Sequence, residues 1–143
     1  MNKNIPIILL IDDKPWWSDI FEKVLSKHGY RVDIVSNEKG ALKRLDEQKY
    51  DIVVLDFYVS GSDGISSLKR ILEKHPDERI IVVSASPTWE EGREIFALGA
   101  IDYLSKPADE SSILRLVETN LRKKLSLIST PVMPSRRRYY EKP

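Results

Sequence analysis

The sequence predicts an α/β fold: a doubly wound sandwich in which helices cover both faces of a five-stranded parallel sheet. Three observations predict it. Five short apolar runs alternate with five segments of helical periodicity. The runs are nearly continuous rather than alternating, as strands buried on both faces are. Charged or hydroxyl residues close four of the five runs, at the strand ends where open α/β sheets bind ligands. A chain of 143 residues suits one such domain with a proper core.

The first run, IPIILLI (5–11), is rich in β-branched residues and stops at Asp12-Asp13. PWWSDIFEKVLSKHGY follows as a helix. Its expected inward stripe is Trp17, Ile20, Phe21, Val24 and Leu25, and Gly29 marks the stop. YRVDIVS (30–36) reads as the second strand. Residues 38–48 read as the second helix, with Ala41, Leu42 and Leu45 inward. DIVVLD (51–56) is the third strand and ends in Asp56. The third helix, 65–75, repeats apolar residues at 65, 68, 71 and 72. RIIVVSA (79–85) is the fourth strand.

Residues 88–99 predict a weaker helix, because Gly92 in its interior costs about 1 kcal/mol relative to Ala. Trp89 shares a stripe there with Gly92 and Phe96. AIDYLSKP supplies a short fifth strand. A closing helix over 109–126 turns Ile113, Leu114, Val117 and Leu121 inward. The remainder, 127–143, holds three prolines without periodicity and reads as a flexible tail or linker. The domain is therefore expected over residues 1–126.

The formal net charge is +1. Arg136, Arg137, Arg138 and Lys142 against Glu141 give the tail +3. The other 126 residues, with 19 basic and 21 acidic side chains, carry −2. Nothing in this balance draws the domain toward nucleic acid. Without cysteine there is no disulfide, thiolate nucleophile or cysteine-ligated metal. No apolar run approaches the ~20 residues of a membrane span, and the start lacks a signal peptide, so a cytoplasmic location is expected.

The strand ends carry the chemistry. Asp12 and Asp13 follow the first strand, Asp56 the third, Ser84 the fourth, and Lys106 with Pro107 the fifth. Taken singly, the acidic pair suits a helix N-terminus and Lys106 a solvated face. Together they form three carboxylates and an ammonium on one rim. Two unit charges ~4 Å apart repel by about 4 kcal/mol at an effective dielectric near 20, so the cluster requires a cation. Hard oxygen ligands without His or Cys favour Mg2+, which retains waters and shares phosphate oxygens. Lys106 adds a point charge suited to phosphate.

In order and spacing, Asp12-Asp13, the Asp56 strand end with its GSDG turn, Ser84-Ala85 and DYLSKP (102–107) closely resemble the receiver domain of two-component response regulators, over about residues 5–124. The resemblance implies a (βα)5 sandwich with strand order 2-1-3-4-5. It implies that Asp56 is the phosphoacceptor, taking a phosphoryl group from a sensor histidine kinase or a histidine phosphotransfer protein. Asp13, Asp56 and the backbone carbonyl of Tyr58 would bind Mg2+ directly, and Asp12 through a water. Lys106 would pair with the phosphoryl group, or with Asp56 before transfer. Ser84 would donate to the phosphoryl group and Tyr103 would be the switch aromatic, altering the affinity of the face made by helix 4, strand 5 and helix 5. The Lys106-Pro107 peptide is expected to be cis.

On this reading the chain is a signalling phosphoacceptor, not an enzyme, acting on a downstream protein or output domain, alone or as a homodimer. It would be a stand-alone receiver, a phosphorelay intermediate or the amino-terminal receiver of a longer transcriptional regulator. Two features depart from the family pattern. Ser60 stands where a proline is common, and Tyr58 is large for its position. An aspartyl-nucleophile phosphatase of the haloacid-dehalogenase type would need a second Asp at position 58. A reading of another class, nucleic-acid binding through RRRYY (136–140), rests on the tail alone.

Overall fold

The computed structural model describes residues 5–59, 63–85 and 88–129. Ser60 and most of the expected tail, including RRRYY, lie outside the described residues. The elements are β1 (Ile7–Ile11), α1 (Pro15–Lys27), β2 (Arg31–Val35), α2 (Glu38–Glu47), β3 (Ile52–Asp56), α3 (Gly64–Lys74), β4 (Ile80–Ser84), α4 (Trp89–Leu98), β5 (Asp102–Ser105) and α5 (Glu110–Ser129). All strand pairs are parallel, in the order β2-β1-β3-β4-β5. The expected fold class and strand order both hold.

Pleating explains the continuous apolar runs. Successive residues of a strand face opposite sides of the sheet. Leu9, Ile11, Val53, Leu55 and Val82 join one core with Leu45, Leu68, Ile71, Ile95 and Phe96. Ile8, Leu10, Ile52, Val54, Ile81 and Val83 join the other with Trp17, Phe21, Leu25, Ile113 and Val117. Helices α2, α3 and α4 thus cover one face, and α1 and α5 the other. Burying side chains such as Phe21 or Leu25 contributes roughly 1.5–3 kcal/mol each. The edge strand β2 is only half-buried.

Capping sets several element ends. Asn37 Oδ1 accepts from Gly40 N at 2.8 Å, and Thr88 Oγ1 from Glu91 N at 3.0 Å. Asp63 Oδ1 accepts from Ile65 N at 3.3 Å to open α3. Gly99, at φ +120°, ends α4 in a conformation that L side chains rarely adopt.

Some expectations need correction. Ile20 is 45% exposed, not inward. The buried stripe of α1 is Trp17, Phe21, Val24 and Leu25, and Ile20 stands roughly a quarter-turn from its centre. β1 begins at Ile7 rather than residue 5: Ile5 is exposed, and Pro6 has no N–H for the ladder. α5 runs to Ser129, past the expected end at 126.

Gly92 does not break α4, which is helical throughout Trp89–Leu98. A Cβ built at Gly92 meets nothing within 4 Å. Gly92→Ala should therefore stabilise the fold by about 1 kcal/mol, the helix-propensity difference. A urea midpoint that falls would contradict this.

Candidate functional site

Sheet register assembles the strand ends. Ile11 pairs with Leu55, so the next residues, Asp12 and Asp56, lie side by side where the strand order reverses between β1 and β3. Asp56 pairs with Val83, and Ser84 with Ser105, which carries the rim on to Lys106. The Lys106 N–H donates to the Ser84 carbonyl at 2.8 Å. The Lys106-Pro107 peptide is cis, as expected.

Three carboxylates converge. Asp12, Asp13 and Asp56 each offer one oxygen, all within 4.8 Å of one another. Asp12 and Asp56 are buried, and Asp13 partly so. Both Asp12 oxygens are buried without a hydrogen-bond partner among the described residues. Burial, with Asp56 beside it, pushes the Asp12 carboxyl up to about 7. Asp56 goes the other way. Burial alone would raise it, but Asp12, the Tyr58 N–H (3.1 Å from Oδ1) and Lys106 outweigh burial and hold it below the usual carboxylate range. The two carboxyls are thus pushed in opposite directions, Asp12 up and Asp56 down.

Two ammonium groups answer them. Lys106 Nζ lies 3.2 Å from Asp56 Oδ2, with its side chain only 6% exposed. The rings of Trp16 and Trp17 flank it, with centroids 5.7 and 5.0 Å from Nζ. Sequence reasoning placed Trp17 in the core, which is correct, but missed that both rings meet Lys106. The second ammonium belongs to Lys14. Its Nζ is 3.0 Å from Asp13 Oδ1, 3.3 Å from Asp56 Oδ2 and 2.8 Å from the Tyr58 carbonyl oxygen. Burial would lower its pKa, but Asp13 and Asp56 outweigh that and raise it. The sequence placed one ammonium, Lys106, at the cluster; the structure places two there. A lysine directly after the acidic pair was the available signal.

Lys14, Trp16, Asp56, Tyr58, Ala85, Lys106 and Pro107 line a cleft of about 260 Å3. Tyr58 is half-exposed, with its ring edge against Phe57. Deeper in, Ser84 is fully buried. The Tyr103 hydroxyl and Glu91 Oε2 are buried without a hydrogen-bond partner among the described residues. Burial, with the Glu91 charge nearby, pushes the Tyr103 phenol up to about 12, and burial also raises Glu91; Ser84 opposes both shifts. Ser84, Glu91 and Tyr103 thus lie together where β4, α4 and β5 meet. Glu91 was not singled out from the sequence.

The donor set fits a hard divalent cation. Its oxygens are carboxylates and a carbonyl, and the unpartnered Asp12 oxygens remain for a metal-bound water. The three oxygens expected to bind Mg2+ directly, from Asp13, Asp56 and Tyr58, are the three that Lys14 Nζ contacts. They therefore face one point, at ammonium distances.

The family model for the response regulator receiver domain matches residues 8–118. The chain belongs to this family. This receiver is 32% identical over 114 residues to the transcriptional regulatory protein ZraR of Escherichia coli, a match covering 80% of this chain and 26% of that protein. The chain thus spans about a quarter of the length of the curated relatives it matches. A CheY-like receiver domain protein from Methanospirillum hungatei shares the fold at a TM-score of 0.80, with 20% identity, over 86% of this chain and 98% of that one. A response regulator from Burkholderia pseudomallei, solved with a phosphorylated aspartic acid, calcium ion and citrate, aligns at a TM-score of 0.72 and 27% identity. That match covers 90% of this chain and 76% of the other.

Receiver domains of two-component systems generally hold Mg2+ in an acidic pocket, and the carboxylate cluster of this receiver stands in that place. Among the described residues, no helix is long and apolar enough to cross a membrane.

Proposed function

We propose that this receiver is a phosphoacceptor switch, with Asp56 taking a phosphoryl group from a phosphohistidine on a sensor kinase or histidine phosphotransfer protein. The observation that carries the reading is the buried Asp56 in contact with the Lys106 ammonium beside two further carboxylates. An Asp56 oxygen attacks phosphorus, the P–N bond breaks with its electron pair left on nitrogen, and the imidazole, already protonated on its other ring nitrogen, leaves neutral. The product is an acyl phosphate on Asp56.

Phosphoryl transfer depends on alignment and charge neutralisation. The Tyr58 N–H, by donating to Oδ1, orients the Asp56 carboxylate. Lys106, clamped by two indole rings, offers its charge to the transferred oxygens. Asp12, Asp13, Asp56 and the Tyr58 carbonyl would hold Mg2+, which when bound neutralises phosphoryl oxygens. The new group adds about −2 charge and three acceptors. Ser84 would answer it, and its neighbours Tyr103 and Glu91 would carry the shift to the α4–β5–α5 face, where a downstream partner or output domain would bind.

The domain acts as a signalling switch rather than a turnover enzyme. The longer transcriptional regulator among its relatives supports reading it as the receiver of such a regulator. The test is incubation with Mg2+ and acetyl phosphate, followed by intact-mass measurement. One added phosphoryl group is expected in the wild type and none in Asp56→Asn. Equal incorporation by both would overturn the reading.

A further inference from the structure

We propose that Lys14 is a tethered counter-ion that competes with the divalent cation for the oxygens of Asp13, Asp56 and Tyr58, so that this receiver binds Mg2+ more weakly than its carboxylates alone would. The inference rests on the metal-assisted phosphoacceptor reading and adds a regulator of that same site.

The geometry is specific. One ammonium touches all three oxygens, at 3.0, 3.3 and 2.8 Å. Those oxygens come from the end of β1, the end of β3 and the loop beyond it. An ordinary surface ion pair engages one partner. Here the lysine satisfies a complete set of hard acceptors from separate segments.

Local sequence places it there. Lys14 is the N-cap residue of α1, with extended backbone, and makes no side-chain capping bond. Pro15 begins the helix, where its missing N–H is no loss. The Lys14 side chain is thus left free of the helix end and directed to the acidic cluster. It is also 36% exposed, so a route outward into solvent exists on the same flexible stem.

Charge makes the competition steep. Three carboxylates and two lysines leave the cluster at −1 at full ionisation. Without Lys14 it would stand at −2. An ammonium and a divalent ion cannot occupy the same point among these three oxygens, so metal entry there requires Lys14 to leave. Apparent affinity then falls by the fraction of molecules with Lys14 already displaced. A Lys14-out population of about one in ten weakens Mg2+ binding about tenfold by that relation. Lys106 does not play this part: its ammonium is enclosed by Trp16 and Trp17 and contacts Asp56 alone among the three carboxylates.

The test is a Mg2+ titration of the full chain by calorimetry, with tryptophan fluorescence in parallel because Trp16 lines the cleft. Wild type, Lys14→Met and Lys14→Gln are compared, with circular dichroism confirming that each is folded. Both variants should bind Mg2+ more tightly than wild type, by about tenfold for a Lys14-out population of about one in ten. Equal affinities would overturn the proposal and leave the phosphoacceptor reading standing. Weaker binding by the variants would also overturn it, making Lys14 a support for the metal. No Mg2+ binding by any of the three proteins would overturn the metal-assisted reading and this proposal together.

Discussion

Lys106→Met is expected to slow phosphoryl incorporation from acetyl phosphate by about 10²–10³-fold, the usual loss when one positioned donor to a developing oxyanion is removed. The methionine retains most of the stem that packs between Trp16 and Trp17, so the change is chiefly in charge. In the wild type the ammonium is held 3.2 Å from Asp56 Oδ2 and nearly excluded from solvent. There its field on an incoming phosphoryl group is poorly screened. Lys14 shares Asp56 Oδ2 with Lys106 but does not replace it, because its other contacts, Asp13 and the Tyr58 carbonyl, hold it on the far side of that oxygen and its side chain is 36% exposed. Mg2+ titration supplies the control. Removing a positive charge should leave metal affinity unchanged or higher, so a slow variant that still binds Mg2+ has lost the donor and nothing else. A rate within twofold of wild type would contradict the role given to Lys106.

Gly64→Ala should destabilise the domain by about 3 kcal/mol, at the upper end of the usual cost of overpacking. A Cβ at Gly64 would sit 2.5 Å from Phe57 Cδ1 and 2.6 Å from the Phe57 carbonyl oxygen. Backbone and a buried ring must both move, since Gly64 opens α3 directly against the residue that follows Asp56. The displacement would reach the site. Phe57 N donates to the Val83 carbonyl at 2.8 Å, and Tyr58 supplies both the N–H to Asp56 and the carbonyl that meets Lys14. Urea denaturation should therefore show a lower midpoint with an unchanged slope, and Mg2+ affinity should fall with it. Gly92→Ala, where the added methyl meets open space, is the matched contrast. A Gly64→Ala midpoint equal to wild type would show that the loop after Asp56 yields more easily than the contacts imply.

The strands were legible because the central ones are buried on both faces, and burial on both faces erases alternation. β1, β3 and β4 accordingly read as unbroken apolar runs. The site was legible for the complementary reason: Asp12, Asp56 and Lys106 end such runs, where an unpaired charge is expensive to place. Lys14 stood beside the acidic pair, but a lysine at a helix start is ordinarily solvated, and only the side chain's direction reveals its three contacts. Asn120 was passed over as a polar helix residue. It is fully buried and its Nδ2 donates to Asp102 Oδ2 at 2.8 Å and to the Leu116 carbonyl at 2.9 Å, tying α5 to β5. Its spacing from Ile113 and Val117 placed it on the inward stripe, a signal that apolar periodicity alone does not weigh. Ile20 failed in the opposite sense: an apolar residue near the edge of a stripe is drawn inward by the pattern but left outside by the packing.

The most direct measurement concerns the bond itself. The phosphorylated protein would be treated with neutral hydroxylamine, which cleaves acyl phosphates and spares phosphate esters, and its mass compared before and after, with peptide mapping of the modified form. The account predicts a single phosphoryl group on the peptide carrying Asp56, lost completely to hydroxylamine and never formed when Mg2+ is chelated. A phosphoryl group that survives hydroxylamine, or that maps to Ser84 or another hydroxyl, would contradict it.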